Sequence, residues 1–424
     1  MSVPTTMKDR TARAREVLAR CEALAKFSED ANSLRRTFLS PPMHNCHAAV
    51  AGWLKSVGVL ASIDAVGNLR GTYPGANADS PRVLIASHLD TVPNAGKYDG
   101  ILGVVLAIAL LEELDGNRLP FAIEVIGFSE EEGVRFGVPF IGSRALTGRV
   151  DEELLGRRDQ NGISVREAIQ QFGLDDQRTG EAALATDVLG YFEFHIEQGP
   201  VLEKLGRQLG VVEALVGQTR LALRFRGRAN HSGTTPMDAR HDALAAAAEW
   251  MVRVESHARE IAGLVATVGS IEAKPGATNV IPGEVRLSLD VRHRSDEVRS
   301  RAKAELTGLA EEVARRRALS VEWNSLLEQD AIRLDDFLAG QIESAIRKSG
   351  SEPHRMTSGA GHDAMILAER VPSAMIFLRS PGGISHHPAE AVLLEDVERA
   401  IEAGVRLLDQ LALSQEFWER KRRA

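Results

Sequence analysis

Five positions in this chain combine the side chains and the placement that divalent-cation chemistry needs. Glu131 and Glu132 follow the apolar run FAIEVIGFS at 121–129, and His88 and Asp90 close a second run, RVLIASHLDT, at 82–91. His195 lies in YFEFHIEQGP (191–200), His386 in GGISHHPAE (382–390), and Asp99 in YDGILG, directly before a helical pattern. Imidazoles grouped with carboxylates form a ligand set that suits Zn2+ or Mn2+. The five candidate ligands are His88, Asp99, Glu132, His195 and His386. Each has an ordinary alternative: a lone histidine is usually a hydrogen-bonded structural residue, and Asp before a helix usually caps it. Their shared place at the ends of apolar runs argues for a joint site, and the pattern points to a metal-dependent hydrolase.

The runs that carry these residues are continuous and β-branched, as expected of strands buried on both faces of a parallel sheet. Ligands of such sheets collect at the carboxyl ends of the strands. Residues 8–58 read as helical, broken near Pro41 and Pro42. From about 60 to 210 strand-like and helix-like runs alternate, which predicts an α/β fold with a mostly parallel sheet flanked by helices. Residues 211–327 have a different pattern, in which TRLALRFRG, VATVGSIEAK, EVRLSLDVRH and LSVEWNSLL read as strands. Two helices lie between them, the second opened by Ser295 as N-cap. The order β-α-β-β-α-β predicts an inserted ferredoxin-like domain. The α/β pattern resumes over 328–424, with PSAMIFLRS as a buried strand and a helix over 394–413. The chain therefore reads as one catalytic domain (1–210 and 328–424) interrupted by a smaller one (211–327).

A chain of 424 residues has room for such an arrangement, and 44% apolar with 26% charged residues is ordinary for a globular enzyme. The net charge of −8 argues against a nucleic-acid partner or an anionic membrane surface. The longest apolar stretch, 101–111, is far short of the roughly 20 residues that span a bilayer. Cys21 and Cys46 are too few for a disulfide scaffold and read as buried hydrophobes of a reducing compartment. The first residues lack the apolar core of a secretory signal, so a cytoplasmic protein is expected.

Seven segments in order, from ASHLDTVPNAGKYDG through EEGVRFG, HIEQGPVLE, GRANHSGTTPMDARHDA, TNVIPG…DVRH and SGAGHDA to GISHHPAE, resemble one family. It is the dinuclear metal amidohydrolases of the hydantoinase/carbamoylase type, with N-carbamoyl-L-amino-acid hydrolases, β-ureidopropionases and allantoate amidohydrolases. These stand among the aminoacylase and carboxypeptidase-like metallohydrolases. The resemblance implies a zinc-exopeptidase-like catalytic domain, an inserted lid and dimerisation domain, and a homodimer. It also implies two divalent ions per subunit (Zn2+ or Mn2+, with Co2+ or Ni2+ also accepted), about 3.5 Å apart. Asp99 would bridge them, with His88 and His195 completing one site and Glu132 and His386 the other. Asp90 would orient the His88 imidazole. Glu131 would be the base that takes a proton from a metal-bridging hydroxide's parent water and returns it to the leaving nitrogen. Geometry alone does not choose among Glu130, Glu131 and Glu132; the EEG pattern of the family does, leaving Glu130 solvated or structural.

By the same resemblance His231 would stabilise the oxyanion, from its own or a partner subunit. Asn279 and Arg292 would clamp the substrate carboxylate, and Gln198 would bind its ureido or carboxylate end. Arg240 and His362 carry no assigned role. LRRTFLSPPMHNCH and the Arg379–Ser380 pair depart from the family pattern and leave the substrate's side-chain end open. The expected activity is hydrolysis of the C–N bond of an N-carbamoyl amino acid, 3-ureidopropionate or allantoate. An N-acyl amino-acid or dipeptide hydrolase on the same core is the alternative. A binding protein that had lost its chemistry would lack the base or a ligand, and this chain keeps all of them.

Overall fold

A computed structural model describes residues 10–421. The first nine residues, on which the reading of the leader and the start of the first helix partly rest, lie outside the described part. Contacts divide the chain into two compact units. Of the described residues, one comprises 10–213, 334–356 and 361–421; the other comprises 214–333 and 357–360.

The first unit is built on a sheet whose principal strands are β1 (Leu69–Tyr73), β2 (Arg82–His88), β3 (Ala122–Phe128), β4 (Val188–Ile196), β5 (Leu209–Leu215) and β6 (Ser373–Leu378). Their spatial order is β1-β3-β2-β4-β6-β5. The four central strands run parallel, and β1 and β5 pair antiparallel at the flanks. Every residue of β3 and β6 is buried. This explains why their sequences show no alternation.

Helices α1 (Arg10–Leu24), α2 (Pro41–Ser56), α3 (Ile101–Leu114), α4 (Asp336–Lys348) and α5 (Leu394–Leu413) share this unit's core, α1 by packing against α3 and α5 and the others against the sheet. Almost all of α3 is buried, as expected of a helix that is apolar all round. Pro41 and Pro42 do not merely break a helix: they open α2, where a missing N–H costs nothing. Cys21 and Cys46 are free and buried. Among the described residues no helix is long and apolar enough to cross a membrane.

In the second unit the strands Gly217–Arg226, Ile271–Lys274, Glu284–His293 and Ser320–Gln329 form an antiparallel sheet. In chain order the spatial sequence is 2-3-1-4, the ferredoxin-like arrangement. VATVGSIEAK, read as one strand, is two: Val265–Thr267 and Ile271–Lys274 pair with different parts of Glu284–His293. The helices Ala243–Glu260 and Asp296–Arg316 bury Ala, Leu and Val on the sheet. The indole of Trp250, fully buried, donates to the Leu306 carbonyl and ties one helix to the other (2.9 Å). Ser295 caps the second helix by accepting from the Val298 amide.

Candidate active site

Because β2, β3, β4 and β6 run parallel, their carboxyl ends open onto one edge, where the polar residues gather. His88 is the last residue of β2 and His195 the penultimate residue of β4. The three glutamates follow β3, and His386 lies in the loop after β6.

Asp99 is the centre of this arrangement. Its Oδ1 lies 3.1 Å from His195 Nε2 and 3.5 Å from His88 Nε2; its Oδ2 lies 3.1 Å from His386 Nε2. His386 Nε2 is also 3.4 Å from Glu132 Oε1. Asp99 does not cap α3: Gly100 holds the cap position, with no side-chain cap bond. Gly100 has φ +68°, and a Cβ there would fall 2.4 Å from the His88 ring. Only glycine lets the chain turn into α3 while Asp99 faces the imidazoles.

His195 Nδ1 faces the Ile196 carbonyl at 2.9 Å, and His88 Nδ1 faces the Asp90 carbonyl at 3.1 Å. In the tautomer that donates these bonds, both Nε2 atoms present lone pairs. They stand 3.4 Å apart and beside Asp99 Oδ1, a buried oxygen left without a well-directed hydrogen bond. Converging lone pairs of this kind call for a cation. Among the described residues four overlapping sets bring their donor atoms within 4.8 Å of one another: His88–Asp99–His195, Asp99–Glu132–His386, His88–Glu131–Glu132 and, behind His195, Glu193–His195–His362. The residues present therefore fit a divalent metal.

With no metal, protons take up part of that role. Burial disfavours ionisation of Asp99, but hydrogen bonding from His195, His386 and His88 outweighs it and holds the carboxyl well below its usual range. Its hydrogen bond to Asp99 raises His386 to about 9. Burial and the Asp99 charge raise Glu132 to about 7. Burial, then Glu132, pushes Glu131 well above the usual carboxylate range.

Asp90 supports both halves of the cluster. Its carboxylate lies 3.4 Å from His88 Nδ1 and accepts the amides of Glu131 (3.0 Å) and Glu132 (3.2 Å). Glu130 is fully buried and accepts the Gly133 amide at 2.6 Å, so of its two readings the structural one holds. Gln198, at φ +59°, donates to Asp99 Oδ2 at 2.8 Å. The hydroxyl of Ser380 accepts the Gln198 amide, while Arg379 turns to Asp396 and Glu395 of α5. Sequence reasoning misses Glu390, which accepts the amides of Tyr98 and Asp99 and so fixes the Asp99 turn.

His231, Asn279 and Arg292 belong to the second unit. His231 is exposed and its Nδ1 accepts the Gly233 amide. The adjoining Ser232 amide donates to the Asn279 carbonyl, which brings these two segments together. Arg240, left unassigned by the sequence, donates to the carbonyls of Ser232 and Thr235 and so holds the His231 turn. Arg292 pairs with Asp290 at 2.8 Å and donates to the Gly359 carbonyl.

Comparison with known proteins identifies the family. Residues 84–410 match the peptidase family M20/M25/M40. Over 430 residues the chain is 38% identical to an allantoate deiminase of Arabidopsis thaliana, covering 93% of this chain and 81% of that protein. Over 366 residues it is 38% identical to an N-carbamoyl-L-amino acid amidohydrolase of Geobacillus stearothermophilus, covering 86% and 90%. A solved hydantoinase/carbamoylase family amidase from Burkholderia ambifaria superposes with a TM-score of 0.87 at 31% identity, covering 95% and 98%. The chain belongs to the peptidase family M20/M25/M40 and, within it, groups with the hydantoinase/carbamoylase amidases.

Proposed function

We propose that this protein is a metal-dependent amidohydrolase that cleaves the C–N bond of an N-carbamoyl amino acid or a related ureido acid. The observation that carries this reading is the ring of His88, His195, His386 and Glu132 around Asp99, with Glu131 buried beside it. Equal identity to an allantoate deiminase and to a carbamoyl amino acid amidohydrolase supports the ureido class without choosing within it. His88, Asp99, Glu132, His195 and His386 would hold two divalent ions, zinc or manganese. Bound there, such ions polarise a carbonyl and make water acidic.

Glu131 then moves the proton. Water adds to the ureido carbon, Glu131 accepts its proton, and the same proton passes to the nitrogen that departs as the C–N bond breaks. Asp90 orients Glu131 and Glu132 through their amides and His88 through its ring. Gln198 binds the ureido or carboxylate end. His231 acts as the donor to the developing oxyanion, and Asn279 with Arg292 binds the substrate carboxylate; the polarity of these side chains and the motifs that carry them support this. The first unit is the catalytic domain, the second the lid and dimerisation domain of a homodimer. The two buried free thiols suit a cytoplasmic protein.

A screen for ammonia release decides the substrate class. Metal-stripped protein is reloaded with each cation and offered N-carbamoyl-α-amino acids, 3-ureidopropionate, allantoate and N-acetyl amino acids, with acetate release followed for the last. Turnover of at least one ureido compound is expected. Turnover of the acetyl compounds alone would replace this reading with that of an N-acyl amino-acid hydrolase.

A further inference from the structure

One buried carboxylate beside the site is used by no step above. Tyr191, Glu193 and His195 alternate onto one face of β4, and Glu193 is completely buried. Among the described residues it makes no ion pair. Three donors converge on it instead: the Tyr191 hydroxyl at 2.7 Å and the Ala364 amide at 3.2 Å on Oε2, and the Ser87 hydroxyl at 3.3 Å on Oε1. Each donor belongs to a segment that carries an imidazole. Ser87 directly precedes His88, Tyr191 shares the strand of His195, and Ala364 lies two residues after His362. The His362 ring is buried edge-on against His195, with centroids 4.4 Å apart.

Burying a carboxylate without a cation is costly, and an apolar residue would pack an interior strand at no such cost. What a carboxylate adds is directional bonds to three separate segments at once. We propose that Glu193 is the positioning residue of the metal-facing imidazoles. It sets the spacing of His88 and His195 and seats His362 against the back of His195. This inference rests on the reading of that cluster as a metal site.

The test is a cobalt(II) titration of the metal-stripped, full-length protein, followed by visible absorption and by competition with a chelator. Glu193→Gln, which keeps the volume but loses the charge and one acceptor, is expected to weaken cobalt binding about 10–100-fold. Its absorption bands should shift, and kcat should fall with little change in KM. Glu124→Gln is the control: Glu124 is also buried, in strand β3 on the far side of β2, but is paired with Arg70 and Arg82. It should lower the melting temperature and leave cobalt affinity within about twofold, an effect too small to matter beside the tenfold expected of a support residue. If Glu193→Gln does not fold, Tyr191→Phe, which removes a single donor, should show the same band shift with a smaller loss of affinity. Cobalt binding unchanged in the folded Glu193 or Tyr191 variant would overturn the inference. Failure of the unaltered protein to bind cobalt would instead overturn the metal reading itself.

Discussion

Toward the amino end of the central strands, Glu124 receives Arg70 at 2.7 Å and Arg82 at 2.5 Å, and Arg82 also meets Asp187. Beyond the carboxyl ends of the same strands, and among the described residues, the ion-pair partners of Asp99 and Glu132 are imidazoles only, and Glu131 makes no ion pair. One sheet thus carries two kinds of buried charge. The first is closed: each carboxylate has its guanidinium, and nothing is left to bind. The second is open, with more acceptors than donors, and burial pushes Glu131 and Glu132 to hold protons. A structural ion pair and a cation site differ here in whether the protein supplies the positive charge itself.

Removing Glu131, the proposed proton carrier, from the open end should have the largest effect. Glu131→Gln should lower the rate of ammonia release by about 10²–10⁴-fold, while metal analysis still finds the full content. Loss of metal instead would mean that Glu131 and Glu132 have exchanged roles.

The next effect is on stability. Glu132 holds its proton up to about 7 in the folded protein against 4.5 ordinarily, and His386 up to about 9 against 6.5. Both raised values favour the folded, metal-free chain at low pH. The Glu132 contribution is complete below 4.5 and gone above about 7; that of His386 is complete below 6.5 and gone above about 9. A divalent cation displaces these protons, so its stabilising effect should grow as pH rises from about 5 to about 9. At a concentration about 100 times its dissociation constant the gain is about 2.7 kcal/mol. Melting curves with and without zinc at each pH measure it, and a zinc-induced gain that shrinks with rising pH would contradict the open-charge account.

The open end is also the more legible one in the sequence. A strand buried on both faces is a continuous apolar run, so the polar residue that ends it is conspicuous; this locates His88, the glutamates and His195. Asp99 is ambiguous, because an acid before a helix is the ordinary cap, and only the fold shows Gly100 in that position. Glu193 and Glu390 are illegible for a different reason. Their donors lie as much as 171 and 292 residues away in the chain, and no local pattern announces a bond between such distant segments. The two-part strand at 265–274 escapes notice because its break involves a Gly-Ser step inside an otherwise strand-like run.

Asp90 belongs to the open end but differs from its neighbours. It is a buried carboxylate whose partners are two amides and an imidazole, so it positions without neutralising. In Asp90→Asn one face of the side chain becomes a donor and opposes an amide N–H of Glu131 or Glu132. Metal affinity should fall about 10–100-fold, measured by chelator competition, with the melting temperature of the metal-free protein changed far less.

The closed end should be the more forgiving. Arg82 is partly exposed and shares its guanidinium between Glu124 and Asp187, and Asp187 is half-exposed to water. Arg82→Lys keeps the charge but loses the paired nitrogens that meet Asp187 at 2.9 and 2.7 Å. Since solvent screens that pair, the loss should be about 1 kcal/mol or less by urea unfolding. Cobalt affinity and the rate per folded molecule should stay at the level of the unaltered protein. A substitution at Arg82 that weakened metal binding would show that the two ends are coupled through β2. It would also mean that the closed pair takes part in setting the spacing of the imidazoles at the other end.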